Sequence, residues 1–130
     1  MGLIPVARYA YVGLVWLFLV GVVIQVFLAG LGLFSSDPRD IALHINLGWV
    51  LHLWPILILI AAAFGRVGRP TLLWVGALVA TVLVQPLLPG LAPTSVVLAA
   101  LHAVNALLIF WIAVKLGLGG PALLPGTVAS

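Results

Sequence analysis

Three histidines stand in a sequence that offers few other side chains able to do chemistry. His44 and His52 lie in the stretch "LHINLGWVLHLWP", and His102 opens "HAVNALLIFWIAV"; neither stretch contains a charged residue. A neutral imidazole in an apolar environment is a common ligand of metal ions and of haem iron. Two of these three imidazoles could therefore bind one ion together if the fold brings them close to each other.

His44 and His52 are poorly placed to do so from a single helix. Eight residues separate them by about 12 Å of rise and about 80° of rotation. The chain has no cysteine, and its only acidic residues, Asp37 and Asp40, lie outside the long apolar runs. This composition disfavours a zinc hydrolase site, thiolate chemistry and a Ser-His-Asp arrangement.

A b-type haem needs less from the chain, namely two neutral imidazoles from opposite helices, an apolar slot and no covalent attachment. We expect His44 and His102 to be the iron ligands. His52 is the alternative ligand, or it forms a hydrogen bond to a bound group or to Asn105. The polar and small residues expected around the ligands or the cavity are Gln25, Gln85, Asn105, Asn46 and Gly48. The same residues also suit an interhelical hydrogen-bond network of purely structural value.

The composition identifies the elements that must carry these residues. Of the 130 residues, 65% are hydrophobic and 5% charged, whereas a soluble domain has about 25% charged residues. The apolar runs exceed the ~20 residues that cross a bilayer. We therefore predict an all-α integral membrane protein, a single domain over 1–130 with four transmembrane helices in an antiparallel bundle. The predicted spans are 8–33, 41–64, 71–88 and 95–116, followed by an irregular tail over 117–130.

The basic residues predict the orientation of these spans. Arg8, Arg66, Arg69 and Lys115 fall on one side of the predicted bundle, and only Arg39 falls on the other. The positive-inside rule then places both termini in the cytoplasm, with the protein in the plasma membrane. Scattered basic residues without a basic patch argue against nucleic-acid binding.

The two halves of the chain share a pattern. "QVFLAGL" at 25–31 resembles "QPLLPGL" at 85–91, and "LHIN" from Leu43 resembles "LHAVN" from Leu101. Each predicted hairpin thus has a glutamine late in its first helix and Leu-His early in its second. Such a repeat (2+2) implies two hairpins related by an axis along the membrane normal, with the histidines facing the interior at one level. Chance similarity between apolar segments is the alternative.

These motifs also carry a family resemblance. With "LHINLGWVLHLWP", "VQPLLPGL" and "LHAVNALLIFWIAV", the chain resembles a group of small, uncharacterised bacterial four-span membrane proteins over most of 8–116. More distantly, it is similar to bis-histidine four-helix membrane cytochromes and to the halves of haem A synthase. That resemblance implies haem binding, but the chain lacks the acidic residue that the synthases place near a ligand, which puts synthase chemistry in doubt.

Together these observations predict a haem-binding membrane cytochrome or electron-transfer subunit, with haem b held by spans two and four. One alternative is a non-catalytic accessory or structural subunit of a larger membrane complex. Another is a membrane protein that binds a small ligand such as a quinone or a lipid. The expected partners are the lipid bilayer and either a membrane-complex partner or a second copy of the chain. Whether the protein is an enzyme is left open.

Overall fold

Four long helices make up the protein in a computed structural model that describes residues 2–124. They are α1 (Leu3–Phe34), α2 (Pro38–Gly65), α3 (Arg69–Val84) and α4 (Val96–Gly119). Short 3₁₀ turns at Pro89–Leu91 and Pro121–Leu123 follow α3 and α4. All four spans are long and apolar enough to cross a membrane, the third when it is counted from Arg69 to Leu91. The predicted all-α four-span bundle is confirmed.

The two ends of the bundle differ in chemistry. The chain reverses at 35–37 and at 85–95 at one end, which we call the histidine end because the polar motifs at 25–46 and 85–105 lie in its half of the bundle. The opposite end contains the start of α1, the α2–α3 connection and the end of α4, and we call it the basic end. Four of the five basic residues lie there. Placement of the basic end in the cytoplasm stays a prediction.

The helix starts follow from local sequence. Helix α1 begins at Leu3, five residues before the predicted start, and includes Pro5 in its first turn, where a missing N–H breaks no helical bond. Helix α2 begins with Pro38 after the N-cap residue Asp37, whose side chain accepts a 2.9 Å hydrogen bond from the Arg39 backbone N–H. A proline in the first turn and an acidic N-cap are common helix-start signals.

Two predicted helix ends were wrong. Helix α3 ends at Val84, not at 88, because Pro86 has no N–H to continue the helical ladder. Helix α4 continues to Gly119, so residues 117–119 of the expected irregular tail are helical, and 121–123 form a 3₁₀ turn. In a membrane the backbone must satisfy its own polar groups, which favours a helix even through glycine. Residues 125–130 of that predicted tail lie outside the described residues.

The buried core extends from the basic end past the middle of the bundle and stops just before the glutamines and histidines. The largest fully buried side chains include Tyr11, Phe18, Ile58, Leu78 and Ile112. The last buried residue of α1 is Val22 and that of α3 is Val82, while the first of α2 is Leu51 and that of α4 is Ile109. Among the described residues, the segments 23–50 and 83–108 contain no buried residue. The helices therefore pack less completely around the histidines than around the apolar core.

Helices α1 and α2 approach closely near both ends of their hairpin. A Cβ added to Gly32 would lie 2.8 Å from the Ile41 Cα, and one added to Gly65 would lie 3.3 Å from the Arg8 backbone nitrogen. Arg8 completes the second contact, because its Nε donates to the Gly65 carbonyl at 2.8 Å and its Nη1 donates to the Leu123 carbonyl at 3.1 Å. Its guanidinium thus satisfies a carbonyl that the last turn of α2 leaves without a helical partner.

Candidate functional site

Gln25 on α1 and His44 on α2 bind each other through reciprocal hydrogen bonds. The Gln25 Nε2 donates to the His44 carbonyl at 2.7 Å. The His44 Nδ1 lies 3.0 Å from the Gln25 carbonyl. A carbonyl oxygen can only accept, so Nδ1 is the donor in this contact, and a neutral His44 then keeps the lone pair on Nε2. The backbone of α1 therefore selects the tautomer in which Nε2 is available to a ligand.

Gln85 and His102 repeat this arrangement in the second hairpin. The Gln85 Nε2 donates to the His102 carbonyl at 3.1 Å, and the His102 Nδ1 lies 3.0 Å from the Gln85 carbonyl. The chain separation is 19 residues in the first pair and 17 in the second, so the connections between the helices absorb the difference. The shared pairing is the structural counterpart of the repeat in the sequence.

The two histidines meet where the hairpins face each other. Their ring centroids are 6.3 Å apart, and the ring planes form an angle of 70°. An imidazole nitrogen lies about 1.1 Å from its ring centroid, so two imidazoles bound on opposite sides of one ion through bonds of about 2.0–2.1 Å have centroids about 6.3 Å apart. Both residues are half-buried. Their separation therefore matches both edge-to-face packing of the two rings and, by distance alone, ligation of a single ion.

Asn105 extends the second pair into a network. Its Nδ2 donates to the Gln85 Oε1 at 2.6 Å and to the Thr81 carbonyl at 2.8 Å. The Gln85 Nε2 also lies 3.4 Å from the His102 Nε2. With Nδ1 bonded to a carbonyl, that second ring nitrogen is the acceptor from the amide. His102 is thus held at both ring nitrogens by Gln85.

The remaining predicted site residues are placed differently. The His52 ring is half-buried and packs edge-on against Trp49, with centroids 6.0 Å apart, and Asn105 bonds to other groups. The Asn46 side chain is exposed, contrary to the expectation that it faces the interior. Gly48 lies against the Gln25 amide, since an added Cβ would be 3.0 Å from its Nε2. Gly48 therefore makes room for the Gln25 side chain.

The donor set at the histidine pair restricts what could bind there. Over residues 2–124 there is no group of three or more His, Cys, Asp or Glu side chains that could hold a metal ion. An ion shared by His44 and His102 would take its other ligands from a bound macrocycle or from water. A haem would be held by the His44 and His102 imidazoles and would supply the remaining iron ligands itself.

Four apolar spans joined by short connections, with a polar cluster within the bundle, define a small multi-pass membrane protein. The chain belongs to a family of unknown function, DUF6220, whose sequence pattern matches residues 25–92, just over half of the chain. That match runs from Gln25 through His44 to the connection after Gln85, so it covers one complete glutamine–histidine pair. Neither a comparison with curated proteins nor one with solved structures found a match.

Proposed function

We propose that His44 and His102 are the axial ligands of one b-type haem and that the protein is a membrane cytochrome or electron-transfer subunit. The observation that carries the proposal is the pairing of the two imidazoles, with centroids 6.3 Å apart. In both residues Nδ1 contacts a backbone carbonyl, so the Nε2 lone pair of each imidazole can face a ligand, although that of His102 also lies 3.4 Å from the Gln85 amide nitrogen. A haem bound by two imidazoles supplies reversible one-electron transfer.

The surroundings of the pair support this proposal. Residues 23–50 and 83–108, which carry both glutamines and both ligands, contain no buried residue, so a group bound at the two imidazoles would displace less packed core there than elsewhere in the bundle. The cluster contains no carboxylate, so the two imidazoles are the side chains in it best suited to bind iron. For the His102 Nε2 to bind iron, the Gln85 amide nitrogen must give up its 3.4 Å contact with that ring nitrogen. It then keeps only its hydrogen bond to the His102 carbonyl.

Absorption spectroscopy tests the proposal directly. The protein is expressed with added haem precursor, purified in detergent, and measured as a reduced-minus-oxidised difference spectrum. We expect a Soret shift and an α-band corresponding to one haem per chain, and the loss of both in His44→Ala and His102→Ala. His52→Ala is the matched control and should keep the spectrum. A wild-type spectrum without an α-band would refute haem binding. Loss of the spectrum in His52→Ala but not in His44→Ala would show that His52, not His44, binds the iron together with His102.

A second candidate function rests on Asn46. Its side chain is exposed within an apolar span, and a polar side chain facing lipid is costly unless another helix satisfies it. This observation favours an accessory subunit whose α2 packs against a partner in a membrane complex. Purification from native membranes in a mild detergent should then recover a stoichiometric partner that is lost in Asn46→Leu. Recovery of the free chain alone would count against this function.

A further inference from the structure

A cavity at the basic end lies between helices α1, α3 and α4, far from the histidines. Its volume is about 180 Å³, and its lining includes Tyr11, Thr71, Trp74, Lys115 and the first-turn residue Pro70. An ammonium group, a hydroxyl group and the start of a helix thus border one small space. All three features favour a ligand that carries negative charge.

Two indole rings hold Lys115 at this cavity. Its Nζ lies 4.3 Å from the centroid of the Trp74 ring and 5.6 Å from that of Trp111. The two rings pack edge to face with centroids 5.4 Å apart. Both acidic residues of the chain, Asp37 and Asp40, lie at the histidine end. No acidic side chain of this chain therefore neutralises Lys115, and its charge is available to an external anion.

Tyr11 provides an independent indication of a ligand. The residue is 0% exposed, and its hydroxyl is buried without a hydrogen-bond partner among the described residues, although the residue lines the cavity. A buried hydroxyl that makes no hydrogen bond is costly. Because the residue is 0% exposed, an acceptor oxygen in the cavity would remove that cost only after a small shift of the cavity wall. The start of α3 is similarly incomplete, since its N-cap residue Gly68 provides no side-chain cap.

A shallow apolar depression on one face of α4 adjoins the first cavity at Lys115. Its volume is about 280 Å³, and it is lined by Trp111, Val114, Lys115 and Leu118 on α4. Leu118 is 70% exposed and Trp111 51% exposed, so this groove opens toward the surrounding lipid. A polar pocket for an anion and an apolar groove meet at one lysine. This combination matches the boundary between the phosphate and the acyl chains of a phospholipid.

We infer that the basic end binds one anionic phospholipid, with its phosphate between Lys115, Thr71 and the start of α3 and an acyl chain in the groove formed by Trp111 and Leu118. On binding, a small shift of the cavity wall lets the buried Tyr11 hydroxyl donate to a head-group oxygen. Free phosphate shares the head-group chemistry, but it would leave the apolar groove unused. If the basic end faces the cytoplasm, the site lies in the leaflet where anionic lipids are concentrated.

Native mass spectrometry of the delipidated full chain in detergent tests this inference. Phosphatidylglycerol and phosphatidylcholine are titrated separately, with inorganic phosphate as a competitor. We expect one phosphatidylglycerol per chain, bound at least about fivefold more tightly than phosphatidylcholine, the factor expected for about one surface cation. Equal affinity for the two lipids would overturn the inference, and competition by inorganic phosphate at the lipid's own concentration would show a free-phosphate site instead.

Variants identify the site. Lys115→Gln should remove the preference for phosphatidylglycerol, whereas Arg39→Gln, which removes a cation from the opposite end, should keep it. Tyr11→Phe should weaken phosphatidylglycerol binding while leaving the stability of the delipidated protein unchanged or higher, because it removes a buried hydroxyl that has no partner. Unchanged lipid affinity in both Lys115→Gln and Tyr11→Phe would overturn the inference. Circular dichroism checks that each variant keeps its helical content.

Discussion

Gln85 accepts a 2.6 Å hydrogen bond from Asn105 that fixes the direction of its side-chain amide. The first hairpin has no equivalent, because Leu47 occupies the position three residues after its histidine. The Gln25 Oε1 is buried and has no partner among residues 2–124. The two glutamine–histidine pairs therefore share their backbone-anchored bonds and differ in how completely the glutamine is satisfied.

Replacing Asn105 should destabilise the second hairpin. Asn105→Leu leaves the Gln85 Oε1 without its donor and removes the bond to the Thr81 carbonyl. Interhelical hydrogen bonds in membranes are worth about 0.6 kcal/mol on average and up to about 1.7, so we expect a loss of about 1 kcal/mol. Unfolding by sodium dodecyl sulfate in mixed micelles measures it. The control is Asn46→Leu, which alters an exposed side chain and should not lower stability.

The sequence predicts the fold because each span is marked by a long apolar run whose recognition does not depend on any single residue. Apolar runs and three polar interruptions predict four antiparallel spans whatever their packing. The errors are local and physical: Pro86 ends α3 early, and Gly117 stays helical because an apolar surrounding gives the backbone no other partner. Such ends depend on one or two residues, so hydropathy alone does not locate them.

The candidate site shows what spacing can and cannot predict. Asn105 follows His102 by three residues, about 60° around the helix, whereas Asn46 follows His44 by two, about 200°, so only Asn105 can share a face with its histidine. Helical geometry therefore separates the two asparagines, although both lie at the same level. The distance between the histidine rings depends on how the hairpins pack against each other, and no motif in the sequence encodes that packing.

The close approach of α1 and α2 should not tolerate a larger side chain at Gly32. In Gly32→Ala the new methyl would lie 2.8 Å from the Ile41 Cα, so the helices must separate. Overpacking of this kind costs about 1–3 kcal/mol. Gly30→Ala is the matched control, because its Cβ would meet nothing within 4 Å. Thermal unfolding in detergent should show a lower midpoint for Gly32→Ala only, and equal midpoints would contradict the packing described above.

Arg8 should stabilise the basic end through its bonds to carbonyl oxygens. Arg8→Ala removes its donors to Gly65 and Leu123 and leaves the end of α2 unsatisfied, for which we expect a loss of about 1–3 kcal/mol. Arg39→Ala also removes one positive charge, but its side chain is 90% exposed, so its effect should stay within about 0.5 kcal/mol. Detergent-induced unfolding compares the two. A similar loss in both variants would indicate an effect of net charge.

The two glutamines should contribute unequally to haem binding. Gln25→Leu removes one side-chain bond, from Nε2 to the His44 carbonyl, whereas Gln85→Leu removes the corresponding bond to the His102 carbonyl and also the acceptor for Asn105. Both variants keep the carbonyl that anchors the Nδ1 of each histidine, so both should retain the α-band.

Loss of a group that orients a ligand typically weakens affinity by about 10–100-fold, and we expect Gln25→Leu near the lower limit and Gln85→Leu near the upper one. Transfer of haem from each variant to excess apomyoglobin measures the difference, with Val26→Leu, at an exposed neighbouring position, as the control. Equal haem loss from the two glutamine variants would show that the additional hydrogen bond of Gln85, which it accepts from Asn105, does not affect haem binding by His102.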